Sequence, residues 1–133
     1  MSAPAGDPDA SPVRVLVADD DADIRELVEF KLSQAGYAVQ AVPDGLAAWE
    51  AFESEPPAIA VLDVMMPGLS GFDVLRKIRE SEHPRVPVLM LSAKSRDSDV
   101  DTGFAIGADD YVIKPFSPRE LLHRVNTMLA RTR

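Results

Sequence analysis

Asp19, Asp20 and Asp21 follow an apolar run in the stretch VRVLVADDDADI, with Asp23 close behind. Crowded carboxylates repel one another and raise each other's pKa, so such a cluster needs a compensating partner. Further along the chain Asp63 follows the apolar AIAVL, Ser92 ends VLMLS and Lys114 ends YVIK. Taken together, Asp19, Asp20, Asp63, Ser92 and Lys114 offer three acids, a hydroxyl and an amine. Two or three carboxylates form a hard, oxygen-rich site suited to Mg2+. The ion offsets their repulsion and lets them stay ionised. An ionised carboxylate can attack phosphorus and form an aspartyl phosphate. A metal and a lysine can neutralise charge on the transferring phosphoryl group. A hydroxyl can donate to its oxygens. Each residue also has a plainer reading: an aspartate after a strand is often a turn former or a helix N-cap. Ser92 can simply cap its strand, and Lys114 can be a solvated lysine. The chemical reading therefore depends on whether one fold brings all five to the same place.

The elements that would do so are visible as an alternation. Short apolar, β-branched runs occur at 13–18, 38–42, 58–62, 86–91 and 111–114, and their length and composition predict strands. Several are apolar throughout, as expected of strands covered on both faces. Amphipathic segments lie between them. The first places Ile24, Leu27, Val28, Leu32 and Ala35 on one predicted face, with Gly36 as a stop. The last opens on Ser117, Pro118 and Glu120, which predicts a capping box with proline in the first helical turn. Five strands alternating with five helices predict a mainly parallel sheet with helices on both faces. The five polar residues all fall at the carboxyl ends of predicted strands. Open α/β sheets bind ligands there, where strand order reverses.

Composition narrows the classes further. The 133 residues suit one domain large enough to bury a core. No cysteine is present, which excludes a disulfide framework and thiol chemistry. The formal net charge of −8 argues against direct nucleic-acid binding. No apolar run approaches the roughly 20 residues of a membrane span. Residues 1–12 lack the basic start and apolar stretch of a signal peptide and are expected to form a disordered tail, leaving 13–131 as the folded unit.

Four stretches, VADDD, LDVMMPGLSG, LSAK and GADDYVIKPF, resemble the signatures of response-regulator receiver domains of two-component signalling, in the family's order and approximate spacing. The resemblance implies a flavodoxin-like (βα)5 three-layer sandwich with a parallel five-stranded sheet of order 2-1-3-4-5. It implies a phosphorylation-activated switch, not an enzyme acting on a separate substrate, that catalyses its own phosphorylation and dephosphorylation. Asp63 would be the phosphoacceptor. Mg2+ would be held by Asp20, Asp63 and the Met65 carbonyl, with Asp19 helping through water. Lys114 would contact the phosphoryl group, Ser92 and Tyr111 would be the switch hydroxyl and switch aromatic, and Lys114–Pro115 would be cis. The implied partners are a sensor histidine kinase or phosphotransfer protein and a downstream effector, in a bacterial cytoplasm. Ser92 would move towards the phosphoryl group, Tyr111 would enter the vacated space, and the face of the fourth helix, fifth strand and fifth helix would change.

The DDYVIKPFSPREL end is most similar to the OmpR/PhoB-type subgroup, whose receivers precede a winged-helix DNA-binding domain and dimerise on that face through ion pairs. Asp109, Asp110, Glu120 and Arg124 match part of that pattern, but Val100 and Asn126 stand where basic residues are expected. A monomer, or a weak activation-dependent homodimer, is the expectation. Whether the chain is a stand-alone receiver or one part of a DNA-binding regulator stays open.

Three rivals share features of this pattern. A calcium loop starting at Asp19 would want glycine at 24 and glutamate at 30, where the chain has Ile24 and Phe30. A haloacid-dehalogenase-type phosphatase would use Asp19 as nucleophile, yet residue 23 is aspartate, and Lys114 follows Asp109 and Asp110 instead of preceding them. A pseudo-receiver that binds partners without phosphorylation would not need the complete acid set.

Overall fold

The computed structural model describes residues 11–93 and 97–132, apart from the side chains of 97–100. The expected alternation is present as β1 (Arg14–Ala18), α1 (Ala22–Gln34), β2 (Ala38–Val42), α2 (Gly45–Ser54) and β3 (Ile59–Asp63), then α3 (Gly71–Arg79), β4 (Val88–Ala93), α4 (Asp97–Ile106), β5 (Asp110–Lys114) and α5 (Pro118–Arg131). The sheet runs β2-β1-β3-β4-β5 and every pairing is parallel. Strand order thus reverses between β1 and β3, the position where a doubly wound sheet opens a crevice at its carboxyl edge.

The period of two sorts each strand between two cores. Val15, Val17, Ile59, Val61, Leu89, Leu91 and Val112 pack with α1 and α5 on one face. Leu16, Ala60, Leu62, Val88, Met90 and Tyr111 pack with α2 and α3 on the other, where α4 also lies against β4. All five residues of β3 are buried, as a central strand covered on both faces requires.

Three local expectations are corrected. Leu27 does not face the core: α1 buries Val28 and Leu32, with Ile24 packed against them. That stripe follows a strict four-residue step, which leaves Leu27 on its margin, 49% exposed. The box at Ser117 is half made. Its side chain accepts from the Glu120 N–H at 3.0 Å, but the Glu120 carboxylate turns to Arg124, one helical turn on, at 3.8 Å. A reciprocal box forms instead at Ser70 and Asp73. Finally, β4 begins at Val88, not at 86. Pro87 has no N–H for the ladder and contributes only its carbonyl, which accepts from Ala60. At its other end the strand pairs with β5 as far as Ala93, so Ser92 lies inside it, fully buried.

Candidate functional site

The end of β1 places Asp19 at the bottom of the crevice, with no exposed surface. Its backbone N–H donates to Val42 O at 3.2 Å, which extends the β1–β2 pairing by one residue. Its Oδ1 accepts from the Asp21 N–H at 2.9 Å, and Arg25 donates to its carbonyl at 2.9 Å. These contacts fix both the backbone and the carboxylate. Asp21 is the N-cap of α1, accepting from the Asp23 and Ile24 N–H groups. The acidic run therefore divides its labour: Asp21 has the plain capping role, Asp19 is buried in the site, and Asp20 is exposed above it.

Asp63 closes β3 and is buried, with its Oδ1 accepting a long 3.4 Å bond from the Met65 N–H. Lys114 arrives from the far side. Its strand is two places from β3, roughly 10 Å away in the sheet, a span that the four-carbon stem crosses. Its Nζ lies 3.1 Å from Asp63 Oδ2 and 3.0 Å from Asp19 Oδ2. Asp19 Oδ2 is fully buried, and the Lys114 ammonium is the charge that meets it. The lysine thus bridges two buried carboxylates. A carboxylate oxygen from each of Asp19, Asp20 and Asp63 lies within 4.8 Å of the others. An exposed acid over two buried ones is a hard donor set able to hold a small divalent cation.

The electrostatics report strain among these acids. Burial, and then the charge of Asp19, push the Asp63 carboxyl up from 3.8 to about 6, against the pull of Lys114. For Lys114 burial acts downward, but the carboxylates of Asp19 and Asp63 outweigh it and the net shift is upward. The lysine therefore stays charged across the neutral range. One ammonium does not fully compensate two buried acids.

Four of the five residues singled out from the sequence meet directly as an acid cluster plus lysine. Ser92 stands on β4, between the strands that carry Asp63 and Lys114, with its hydroxyl 3.5 Å from the Ala93 carbonyl. Tyr111 is buried on the α4 side of the sheet with its ring against Phe104, centroids 5.1 Å apart. The peptide Lys114–Pro115 is cis. Met65 follows Asp63 in the loop to α3 with its side chain exposed. Asp109 pairs with Arg79 at 2.9 Å and Asp110 with Arg124 at 3.0 Å. Asn126 accepts a hydrogen bond from the Tyr37 hydroxyl, and the side chain of Val100 is outside the described residues.

Sequence reasoning missed the positioning residues. Arg79 donates to the carbonyls of Pro84, Val86 and Gly107 and so ties the end of α4 to α3. Gly71 brings the start of α3 against the Asp63 backbone. A glycine directly after the cap Ser70 was the available signal for the second; an arginine near a helix end gives none.

The chain is thus a doubly wound α/β domain that gathers three acids and a lysine at its switch point. The family model of the response regulator receiver domain matches residues 15–126, and the chain belongs to that family. It is 46% identical over 122 residues to the transcriptional regulatory protein CseB of Streptomyces coelicolor, covering 92% of this chain and 51% of that protein. It is 45% identical over 119 residues to the probable transcriptional regulator ycf27 of Guillardia theta, covering 90% of this chain and 46% of that one. The chain thus spans about half the length of these relatives. Among solved structures it is similar to the BeF3-activated DrrB receiver domain, at 39% identity and a TM-score of 0.80 over 90% of this chain and 99% of that one.

Proposed function

We propose that residues 13–131 form a switch in which Asp63 accepts a phosphoryl group, with Mg2+ bound by Asp20, Asp63 and the Met65 carbonyl and Asp19 helping through water. The single observation that carries this reading is the bridge of Lys114 to Asp63 and Asp19, beneath the exposed Asp20. The bound cation supplies charge neutralisation of the carboxylates and of the transferring group. An Asp63 carboxylate oxygen attacks phosphorus of a phosphohistidine on a kinase or phosphotransfer protein. The new O–P bond forms as the P–N bond breaks, and the electron pair leaves with the imidazole. Lys114 holds the carboxylate in its ionised form and then pairs with the added oxygens. In this reading Ser92, buried on the adjacent strand, donates its hydroxyl to them. The output is a changed surface on α4, β5 and α5 that controls an effector or partner protein.

The direct test uses acetyl phosphate and Mg2+ with the purified chain. Intact-mass measurement should show one added phosphoryl group, and Asp63→Ala should show none. An equal gain in the variant sinks the assignment, and labelling of Asp19 instead favours the phosphatase reading.

The same reading bears on self-association. The acids on the α4–β5–α5 face are engaged within the chain: Asp109 by Arg79, and both Asp110 and Glu120 by Arg124. Each such exposed pair is worth only about 0–1 kcal/mol, but charges choose partners and register. A monomer is expected without phosphorylation, and at most a weak dimer with it. Sedimentation at micromolar protein, with and without beryllofluoride, checks this. A tight activated dimer weakened by Glu120→Ala would contradict it.

A further inference from the structure

Tyr111 is buried, with its ring seated against Phe104 of α4. The seat is made by an absence. A Cβ built on Gly103 would lie 1.5 Å from the Tyr111 hydroxyl oxygen, 2.5 Å from Cζ and 2.8 Å from Cε1. The hydroxyl oxygen and two ring atoms thus occupy the volume that any other residue at 103 would fill. We propose that Gly103 is the positioning residue for Tyr111: its missing side chain admits the ring to the buried pose, and a methyl group there ejects it.

The ring, not the helix, is the part that yields. The carboxyl half of α4 is anchored at its end. Gly107 and Ala108 both donate to the Gly103 carbonyl, at 2.9 and 2.8 Å. The Gly107 carbonyl in turn accepts from Arg79 Nε at 3.0 Å and Nη2 at 2.7 Å. The β5 backbone is held in its ladder, with Tyr111 opposite Met90. Against these restraints a turn of the tyrosine side chain about its own bonds is the soft coordinate. Phe104, its ring neighbour, is already 49% exposed, so the outward path is not closed by a buried side chain on that flank.

The consequence for signalling rests on the switch reading above; the steric seat does not. Tyr111 and Ser92 lie on the same face of adjacent strands, since Ser92 is opposite Ile113, two residues beyond the Met90–Tyr111 pair. A ring forced outward must be returned before the activated arrangement can form. By linkage, beryllofluoride then binds the variant more weakly, by about tenfold for a coupling of ordinary size.

The chain has two tyrosines, Tyr37 and Tyr111, so 3-fluorotyrosine labelling gives two 19F resonances, assigned by Tyr37→Phe. The Tyr111 signal should be shielded from a soluble paramagnetic agent in the native chain and accessible in Gly103→Ala. A second measurement is independent of the label. Alanine is the better helix former, so Gly103→Ala should raise the urea midpoint in a Tyr111→Ala background and lower it in the native background. Beryllofluoride affinity should fall about tenfold in Gly103→Ala and not fall further when Gly103→Ala is added to Tyr111→Ala. A Tyr111 resonance that stays shielded in Gly103→Ala, or an equal loss of midpoint in both backgrounds, overturns the proposal. Absence of any beryllofluoride binding by the native chain overturns the phosphorylation reading and leaves the first two measurements standing.

Discussion

Without divalent cations, the native chain should lose about 2 kcal/mol of stability relative to Asp63→Asn as pH rises from 4 to 7. Asp63 titrates near 6 in the folded state against 3.8 as the ordinary value, chiefly through burial and then through the charge of Asp19. A folded-state pKa raised by about two units corresponds to about 3 kcal/mol over the whole titration, of which about 2 kcal/mol falls between pH 4 and 7. The sign follows from the direction. The neutral form is favoured by folding, so this contribution is fully present below 3.8 and is lost as pH climbs through about 6. Lys114, also raised, contributes stability that is lost only as pH climbs through its own higher folded pKa. It therefore stays constant between 4 and 7. The difference between the two proteins therefore reports Asp63 together with its coupling to Asp19. Urea midpoints at successive pH values provide the readout. Added Mg2+ should restore stability to the native chain, by about 2.7 kcal/mol at one hundred times its Kd, and Asp20→Asn should raise the concentration required. A native chain that tracks Asp63→Asn from pH 4 to 7 would show that the buried acids are not in conflict.

That conflict was legible in the sequence, but its distribution was not. Four aspartates within five residues announce repulsion; which of them is buried depends on where β1 ends and α1 begins. Asp21 is drawn away by the free N–H groups of α1, and Asp19 is held under Lys114 by the sheet. The strand order could be read from the family resemblance, and the crevice at the carboxyl edge from the alternation alone. The register that sets Tyr111 opposite Met90, and so under α4, could not, because it depends on contacts between β4 and β5. Leu27 failed for a related reason. A helical stripe is about 100° wide, and which marginal position turns inward is decided by the neighbour α5, not by α1 itself. Ser92 was placed at a strand end and is found inside one, because β4 stays paired with β5 as far as Ala93.

Gly71→Ala should destabilise the chain by about 2 kcal/mol and slow phosphorylation, although it replaces glycine by the best helix former. A Cβ at 71 would stand 2.2 Å from the Asp63 carbonyl oxygen, 2.9 Å from its carbon and 2.9 Å from Met90 Cε. The methionine can swing aside. The backbone cannot, because β3 is paired on both edges and the Gly71 N–H donates to Val64 O at 3.0 Å. Overpacking of this kind costs about 1–3 kcal/mol, at the upper end here since the contact is with main chain. The helix-propensity gain of about 1 kcal/mol offsets part of it. What must move is the start of α3 or the end of β3, and the latter carries the nucleophile. Gly68, three residues earlier in the same loop, separates the effects. It adopts φ +75° with nothing within 4 Å of a Cβ, so alanine there costs about 1 kcal/mol of backbone strain without displacing Asp63. Asparagine, which tolerates that conformation, should recover most of the loss at 68 but not at 71. Denaturation midpoints and initial rates with acetyl phosphate, taken on all four variants, decide the matter. If Gly71→Ala is as stable as the native chain and as fast, the fit of α3 against Asp63 does not hold the site.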